Sequence, residues 1–532
     1  MTALRRIIPL VSALLLALAI GCRTPAEFRT AADDQVYGIL SDLRAKFVAD
    51  PESFNVDHVD YVRESEGPAD LTECLNIAAL ASRDYEARRQ QLYLAALDLT
   101  FERYLFNARG GAGFGAAAAR TGPGMTPAEL NGGASLSKLL GSGAAIVGDM
   151  GLRLFRDLSS GDGFEAITDL GLSLTMPLMR GSGSRIVQED LTQAERDVVY
   201  EVRSYERFRR TFSVDVATRV YRILQQAVIV SNEEINIENL RVLRERNEEL
   251  ADAGRLSDIQ VDQARQDELT SSNRLIVETQ RYQGQLDDLK RFLGLPIEAT
   301  FAPDPAELEH LTAGVPDTKL FDEEFLMEVA LRGRLDYMTA LDRVDDAERK
   351  IRVAADALRA GLELVSDASI TSASGRPLDF DSDDLRWTLA LDLDLPVDRL
   401  RERNAYRTAL ITLQAAQRAV AQLDADIRTG LRADLRQAAA TIETNKIQRG
   451  AVLLAERRVE SARLRLDAGR ADTRDILEAQ EDLLQAKNAA TRSMIDHYLA
   501  LLELWRDVEV LRVDGAGISL DETLLASGEL QP

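Results

Sequence analysis

Residues 385–397 read LRWTLALDLDLPV, and this stretch decides the fold class. Leucine or tryptophan occupies every second position up to the proline, while arginine, threonine, alanine and aspartate occupy the positions between them. Such alternation is typical of a strand with one apolar and one polar face. In a soluble sheet the apolar face would pack on a core. In a membrane barrel it would face lipid, and Asp392 and Asp394 would line a watery lumen. The length, about 11 residues, matches a tilted strand that crosses a bilayer.

A second alternating stretch covers residues 169–176, and each stretch ends at a proline, Pro177 or Pro396. Proline suits the exit of a strand and the corner into a helix. Alternation at residues 361–371 predicts a partner strand for the stretch that ends at Pro396.

The partner of the earlier stretch is expected within residues 134–156. The segment 110–165 is rich in glycine and alanine. We interpret it as strand plus outer loop, with a floppy insertion as the alternative. The prediction is therefore one pair of strands in each half of the chain, at about 134–176 and about 361–395.

Two long helical hairpins are predicted after these prolines. Each following run has more than 100 residues without another proline. Apolar residues recur there at steps of three and four, which indicates long amphipathic helices. Each run is interrupted once by Ala-Gly-Arg, at Gly254 and at Gly469. We therefore expect hairpins at 178–294 and 397–511, with these glycines at the turns.

The two hairpins share a residue pattern at a spacing of 215 positions. The matching pairs are Asp252 and Asp467, Gly254 and Gly469, Val261 and Ile476, Ala264 and Ala479, Leu269 and Leu484, Asn273 and Asn488, Leu286 and Leu501, and Leu289 and Leu504. A duplication of this length indicates one structural unit used twice.

Each repeat is predicted to contain a helix, a β-hairpin, a long helix, a turn and a return helix. The first repeat covers 67–295 and the second covers 322–512. A proline-rich linker, 296–321, joins them, and the polar tail 513–532 is expected to be poorly ordered.

The N-terminus has the features of a targeting segment. Residues 1–21 combine Arg5 and Arg6 with a short apolar run, which predicts a signal peptide. Gly21-Cys22 is similar to a bacterial lipobox, so Cys22 is expected to be lipidated, with an ordinary signal peptide as the alternative. Residues 22–66 would then form an extended lipid-anchored tether with short helices.

Composition excludes several function classes. The net charge of −24 argues against a nucleic-acid partner, which needs a basic surface. The three histidines, His58, His310 and His497, lie far apart in the sequence and predict no zinc site. No nucleophile–base set or phosphate-binding loop is present either. We therefore expect no enzymatic activity, no cofactor and no metal.

Taken in order, these features resemble the TolC family of outer-membrane factors over about residues 67–512. The resemblance depends on Gly21-Cys22, the strand-to-helix stretch 174–181, its echo Leu395-Pro396-Val397, and the two glycine-centred turns. The second turn, Leu466-Asp467-Ala468-Gly469 followed by Asp475-Ile476-Leu477-Glu478-Ala479, is the better match to the family pattern.

The resemblance implies a mostly α fold with a small membrane β-barrel. Three copies would form a homotrimer with a 12-stranded barrel and a long α-helical periplasmic tunnel. The protein would be a passive conduit from periplasm to exterior, lipid-anchored in the bacterial outer membrane. Its partners would be a periplasmic adaptor (membrane fusion) protein and an inner-membrane transporter, in a tripartite efflux or type I secretion system.

The resemblance also implies a periplasmic gate at the helix turns. Asp475 and Glu478 fall at the family's acidic gate positions, whereas the first repeat has Gln260 and Gln263 there. Arg470 and Arg474 are candidates to tie the tips shut by ion pairs. The simpler interpretation is that these acids only favour a solvated helix N-terminus.

Two other classes remain as alternatives. One is a structural coiled-coil envelope lipoprotein without a pore, which would not need the two-faced strand before Pro396. The other is a periplasmic adaptor, which would have one helical hairpin rather than two. The exported substrate is not encoded in any pattern of this sequence.

Overall fold

The computed structural model describes residues 24–45, 54–57, 67–118, 127–157, 165–313, 322–468, 470, 472–514 and 517–520. The predicted signal peptide, Cys22 and Gly469 lie outside these ranges, as does part of the predicted tether. The chain is mostly helical with one larger sheet, as the sequence predicts.

The helices are α1 Pro25–Arg44, α2 Leu71–Ala81, α3 Arg83–Leu105, α4 Ser184–Val187, α5 Glu189–Asp252, α6 Asp258–Leu293, α7 Glu307–Ala313, α8 Glu323–Gly333, α9 Leu335–Asp356, α10 Leu400–Asp467 and α11 Thr473–Asp507. A short 3₁₀ turn covers Ser382–Asp384. None of the helices in the described part of the chain combines the length and apolar character that crossing a bilayer requires.

The strands are β1 Arg109–Ala118, β2 Pro127–Leu139, β3 Ala145–Asp157, β4 Glu165–Pro177, β5 Gly361–Thr371, β6 Arg386–Asp394, β7 Leu511–Asp514 and β8 Gly517–Leu520. The first six form one antiparallel sheet in the order β1-β2-β3-β4-β5-β6, and β7 pairs with β8. Strands β5 and β6 coincide with the segments where the alternation of leucine and polar residues predicts them.

The prediction of one β-hairpin in the first half is wrong. That half contributes four strands, β1 to β4, so the chain brings six strands to the sheet rather than four. The two additional strands lie in the segment rich in glycine and alanine. These residues have low strand propensity and little contrast in hydrophobicity, so they obscure the period of two.

The region predicted as a tether with short helices contains α1, whose N-terminus is closed by a capping box between Thr24 and Glu27. One further expectation needs correction. The start of the tail predicted as poorly ordered forms the short hairpin β7–β8, in which Leu511 is fully buried.

The chain divides into two compact units. The first contains Met1–Pro51, Leu92–Val202 and Thr339–Val420, and thus the six-stranded sheet. The second contains Glu52–Gln91, Arg203–Met338 and Ala421–Pro532, and thus both helix turns.

In the first unit, a buried ionic network joins α5 to α9. Asp346 accepts hydrogen bonds from Tyr200 Oη at 2.7 Å and from Arg196 Nη1 at 2.6 Å. Arg349 donates to Asp346 at 2.8 Å and to Glu189 at 3.1 Å. Burial alone would raise the pKa of Asp346, but these donors outweigh it and hold that pKa below its usual value. The network therefore holds the N-terminal part of α5 against α9 while Asp346 is ionised.

In the second unit, an aromatic cluster packs α3 against α5. The Tyr85 ring centroid lies 6.0 Å from that of Tyr205 and 5.5 Å from that of Phe212, both in edge-on geometry. Such pairs contribute roughly 0.5–1.5 kcal/mol each beyond the burial of apolar area. Tyr85, Tyr205 and Phe212 are all buried, so the cluster is part of the core of this unit.

Candidate functional site

One face of the six-stranded sheet is apolar from edge to edge. In an antiparallel ladder, directly paired residues project from the same face. The pairing therefore continues the apolar face from β6 to β5 and from β5 to β4. The residues on this face include Ala112, Phe114, Ala116, Leu130, Ala134, Leu136, Ile146, Met150, Leu152, Leu154, Leu170, Leu172, Leu174, Met176, Leu362, Leu364, Ala368, Ile370, Trp387, Leu389, Leu391 and Leu393. Polar residues on this face include Lys138, Thr168 and Ser366.

This apolar face is exposed in the single chain. The side chain of Trp387 is 72% exposed, and Phe114, Leu136, Met150 and Leu172 are each at least half exposed. A soluble protein rarely leaves a contiguous apolar patch of this size uncovered. The face therefore requires an apolar surrounding that the described chain does not itself supply.

The opposite face is polar and mainly acidic. Its charged members include Glu129, Asp149, Glu165, Asp169, Glu363, Asp367, Asp392 and Asp394, against Arg109, Arg153 and Arg386. Arg153 pairs with Asp169 at 3.0 Å. Asp392 lies directly opposite Glu363 in the ladder, so two like charges are adjacent. An excess of carboxylates on one face creates a negative potential over it.

The strand-to-helix corners are built around the predicted prolines. Pro177 ends β4, and the next residue, Leu178, donates its backbone N–H to the Leu362 carbonyl at 2.7 Å. Arg180 then reaches Asp394 at 2.8 Å, which ties the end of β6 to this corner. At the other corner the Pro396 carbonyl accepts a bond from Arg399 at 3.2 Å.

The two helix turns share a backbone hydrogen-bond pattern. After α5, Arg255 N–H donates to the Leu250 carbonyl at 2.8 Å, and after α10, Arg470 N–H donates to the Arg465 carbonyl at 2.8 Å. At the first turn, this hydrogen bond spans five residues and closes the end of the helix. Such a closure requires the left-handed backbone conformation at the residue before the donor, which is Gly254. Gly254 has φ of +69°, a conformation that glycine adopts without strain.

The acidic residues at the second turn have different local roles. Asp475 occupies the N3 position of a capping box whose N-cap is Asp472, and its carboxylate accepts the backbone N–H of Asp472 at 3.2 Å. Glu478 is exposed and pairs with Arg458 at 3.1 Å. The capping role accounts for Asp475 locally, while the Glu478 carboxylate remains at the surface.

The two arginines predicted near the gate lie on different sides of the second turn. Arg474 lines a cleft together with Gln263, Glu478 and Glu481. Arg470 lies in a shallow basic hollow with Arg457 and Arg465. Within the described residues, Glu478 has Arg458 as its ion-pair partner rather than either predicted arginine.

Contacts between the two hairpins were missed by sequence reasoning. Asn247 donates to Thr473 at 3.1 Å in a buried position, and Gln260 reaches Asp472 at 3.4 Å. Farther from the turns, Arg274 pairs with Glu481 at 2.9 Å. The one sequence signal for such contacts is a polar residue within an apolar helical stripe, as with Asn247 after Leu240 and Leu243. These two leucines belong to a buried cluster that also includes Ile476 and Leu477.

No protein-family model and no curated protein matches the sequence. Solved structures do match. The outer membrane protein VceC of Vibrio cholerae is 16% identical, with a TM-score of 0.57 over 82% of this chain and 96% of that chain. The CmeC outer membrane channel of Campylobacter jejuni is 13% identical, with a TM-score of 0.58 over 90% and 97%. CusC, a protein that forms a transmembrane channel, is 12% identical, with a TM-score of 0.59 over 85% and 99%.

Proposed function

We propose that this chain, which has the fold of the TolC-family outer-membrane channels, is one subunit of a homotrimeric channel in the bacterial outer membrane. Three sheets would join into one closed wall across the membrane, and the long helices would form a conduit through the periplasm. The channel would act as a passive path from periplasm to exterior in an efflux or type I secretion system.

The observation that carries this proposal is the two-faced sheet. Its apolar face runs across all six strands, and its polar face holds eight carboxylates against three arginines among the residues named above. Lipid outside and water inside would satisfy both faces at once. Asp392 and Asp394 would then line the lumen and favour cations.

We further propose that the periplasmic end is gated at the helix turns. Three copies of Glu478 and Asp475 around a narrow opening would concentrate negative potential there. Gln260 and Gln263 occupy the corresponding places in the first hairpin, so the charge would come from the second hairpin. Arg470 and Arg474 would supply ion pairs at this end that hold the tips together.

The remaining parts of the proposal concern the anchor and the partners. Lipidation of Cys22 would attach the mature N-terminus to the outer membrane. A periplasmic adaptor and an inner-membrane transporter would dock at the turns and open the channel. The likeness to outer-membrane channels supports partners of this general kind.

Charge substitutions on the two faces of β6 test the proposal. Leu391→Arg places a charge on the apolar face, and Ala390→Arg places the same charge one residue away on the polar face. In a lipid-facing position near the bilayer midplane an arginine costs roughly 2–4 kcal/mol. We expect Leu391→Arg to abolish trimers in outer-membrane fractions and Ala390→Arg to retain them.

The rival is a coiled-coil envelope lipoprotein without a pore. That protein would need neither face of the sheet in contact with lipid. It would tolerate both substitutions equally and give no conductance in planar bilayers. Either result would overturn the channel proposal.

A further inference from the structure

We infer that each subunit contributes six strands to the membrane wall, so that three chains build a barrel of 18 strands in which β6 of one chain pairs with β1 of the next copy. This inference rests on the proposed channel function. It replaces the 12-stranded barrel implied by the family resemblance, and it assigns the edge strands β1 and β6 as the contact between subunits.

The first argument is that β1 and β2 carry the same two faces as the other strands. The ladder pairs Phe114 with Gly132, and Gly132 with Leu152, which continues the apolar face from β3 through β2 to β1. Phe114 is 65% exposed and Leu136 is 58% exposed on that face. A hairpin that lay outside the membrane would not need large apolar side chains on the face that continues the apolar face of β3 to β6.

The second argument concerns length. Strands β1 and β2 contain 10 and 13 residues, and β3 and β4 contain 13 each. A tilted strand needs about 9–11 residues to cross the hydrocarbon core. The additional hairpin is therefore long enough to cross the bilayer and to pair with β3 over its full length.

The third argument concerns the edges. In the described sheet β1 pairs with β2 and β6 pairs with β5, which leaves the outer edge of each without a neighbour from its own sheet. Unpaired backbone groups in lipid are costly, so open sheet edges do not occur there. Six strands are fewer than the roughly eight of the smallest barrels. The edges must therefore be satisfied by another sheet, and a second copy supplies a complementary one.

Strand direction permits this pairing. Because the sheet is an antiparallel meander with an even number of strands, β6 and β1 run in opposite directions. A head-to-tail ring of three copies then makes every junction antiparallel, as outer-membrane barrels require. On the apolar face of this junction β1 presents Ala112, Phe114 and Ala116, and β6 presents Trp387, Leu389 and Leu391.

The inner surface differs accordingly from that of a 12-stranded wall. Barrel diameter grows roughly linearly with strand number, so the wall would be about 1.5 times wider. Most inward residues of the added hairpin are small, including Gly111, Gly113, Gly115, Gly133 and Ser135, while Arg109, Glu129 and Asn131 are the larger ones. At this strand number the wall leaves an aqueous passage instead of filling with side chains.

Cysteine cross-linking in intact membranes tests the junction. Ala390→Cys on β6 is combined with Gly113→Cys or Gly115→Cys on β1, all on the polar face. An added Cβ at either glycine meets no atom within 4 Å. Neighbouring strands place paired Cβ atoms roughly 5 Å apart, within reach of a short bifunctional thiol reagent. Among the described residues Cys74 is the native cysteine, and it is buried, so it is left in place.

The matched controls use other strands and the other face. Leu391→Cys with Gly113→Cys places the two thiols on opposite faces. Ala390→Cys with Gly151→Cys tests β3, which would be the neighbour of β6 if β1 and β2 lay outside a 12-stranded wall. Gly151 also has open space for a side chain.

We expect covalent dimers and trimers from β6 with β1, and none from either control. Cross-linking of β6 to β3 would overturn the 18-stranded wall while leaving a trimeric channel intact. Absence of cross-links in every pair would overturn the inferred junction. If trimers are also absent from the membrane in the unsubstituted protein, the proposed function fails as well.

Discussion

The buried side chains of Asn247 and Thr473 are joined by a hydrogen bond of 3.1 Å. The bond links α5 of the first hairpin to the first turn of α11 in the second, and the two residues are 1% and 0% exposed. It lies close to both helix turns, at the end where we propose the gate. Its loss should therefore affect the proposed opening more than overall folding.

Thr473→Val should loosen the contact between the hairpins. Valine has nearly the same shape but no hydroxyl, so the Asn247 amide loses its acceptor in a buried place. An unsatisfied buried polar group costs about 1–3 kcal/mol. We expect faster amide hydrogen exchange at residues near both turns. Thr270→Val is the matched control, because Thr270 is exposed and bonds only within its own helix; equal exchange in the two variants would contradict the prediction.

Neutralising the proposed gate should change ion selectivity. Asp475→Asn with Glu478→Gln removes two carboxylates per chain while keeping side-chain size. The asparagine side-chain oxygen can still accept the backbone N–H of Asp472, so local structure should persist. We expect weaker cation preference and higher resting conductance in planar bilayers.

The control for this experiment is Asp424→Asn with Glu443→Gln, which removes two carboxylates from α10. These acids pair locally with Arg428 and Lys446. Unchanged selectivity and conductance in the gate variant, or an equal change in the control, would show that the acidic turn has no gating role.

Stability should depend on pH through Asp434. Burial raises the pKa of Asp434 to about 6, and the adjacent carboxylate of Asp507 adds to the shift. The folded state binds the Asp434 proton more tightly than the unfolded state does. The stabilisation from this protonation is therefore complete below the unfolded pKa of 3.8 and is lost as pH rises through about 6.

Asp434→Asn should therefore stabilise the protein at pH 7.5 and have little effect at pH 4. The gain should be about 1 kcal/mol, because partial exposure screens the charge. Thermal unfolding midpoints at the two pH values measure it. Asp426→Asn, an exposed site on the same helix, is the control, and a gain of the same size at both pH values would count against the prediction.

Gly294 should tolerate no side chain. It ends α6 with φ of +84°, and an added Cβ would lie 2.0 Å from the Ala81 carbonyl oxygen. We expect Gly294→Ala to lose at least ~3 kcal/mol of stability, or to fail to accumulate. Gly254→Ala, at φ of +69° with open space, should lose only about 1–2 kcal/mol. Equal losses in thermal unfolding would show that crowding at Gly294 is unimportant.

The strands rich in leucine were predictable, whereas the strands rich in glycine were not. In β6 every second residue is a leucine or tryptophan, so the period of two is unmistakable. In β1 the outward residues are mostly alanine and the inward ones mostly glycine, which differ little in hydrophobicity. Leu130 and Leu136 in β2 share a face, and that spacing was a signal that could have identified this strand.

The helix turns show a similar limit. The repeated Ala-Gly-Arg predicted where the chain reverses, because left-handed closure favours glycine. It could not predict which residues of one hairpin meet the other. Asn247 and Thr473 are separated by more than 200 positions, and their contact depends on how two amphipathic helices pack. A single sequence carries no direct record of that packing.

The outward leucines of β6 also constrain how the protein is made. In the proposed channel, a newly exported chain would expose Trp387 and its neighbours to water before reaching the bilayer. Unpaired, apolar edge strands are prone to aggregate. Biogenesis would thus depend on a holding chaperone, and on insertion and assembly that occur together rather than in sequence.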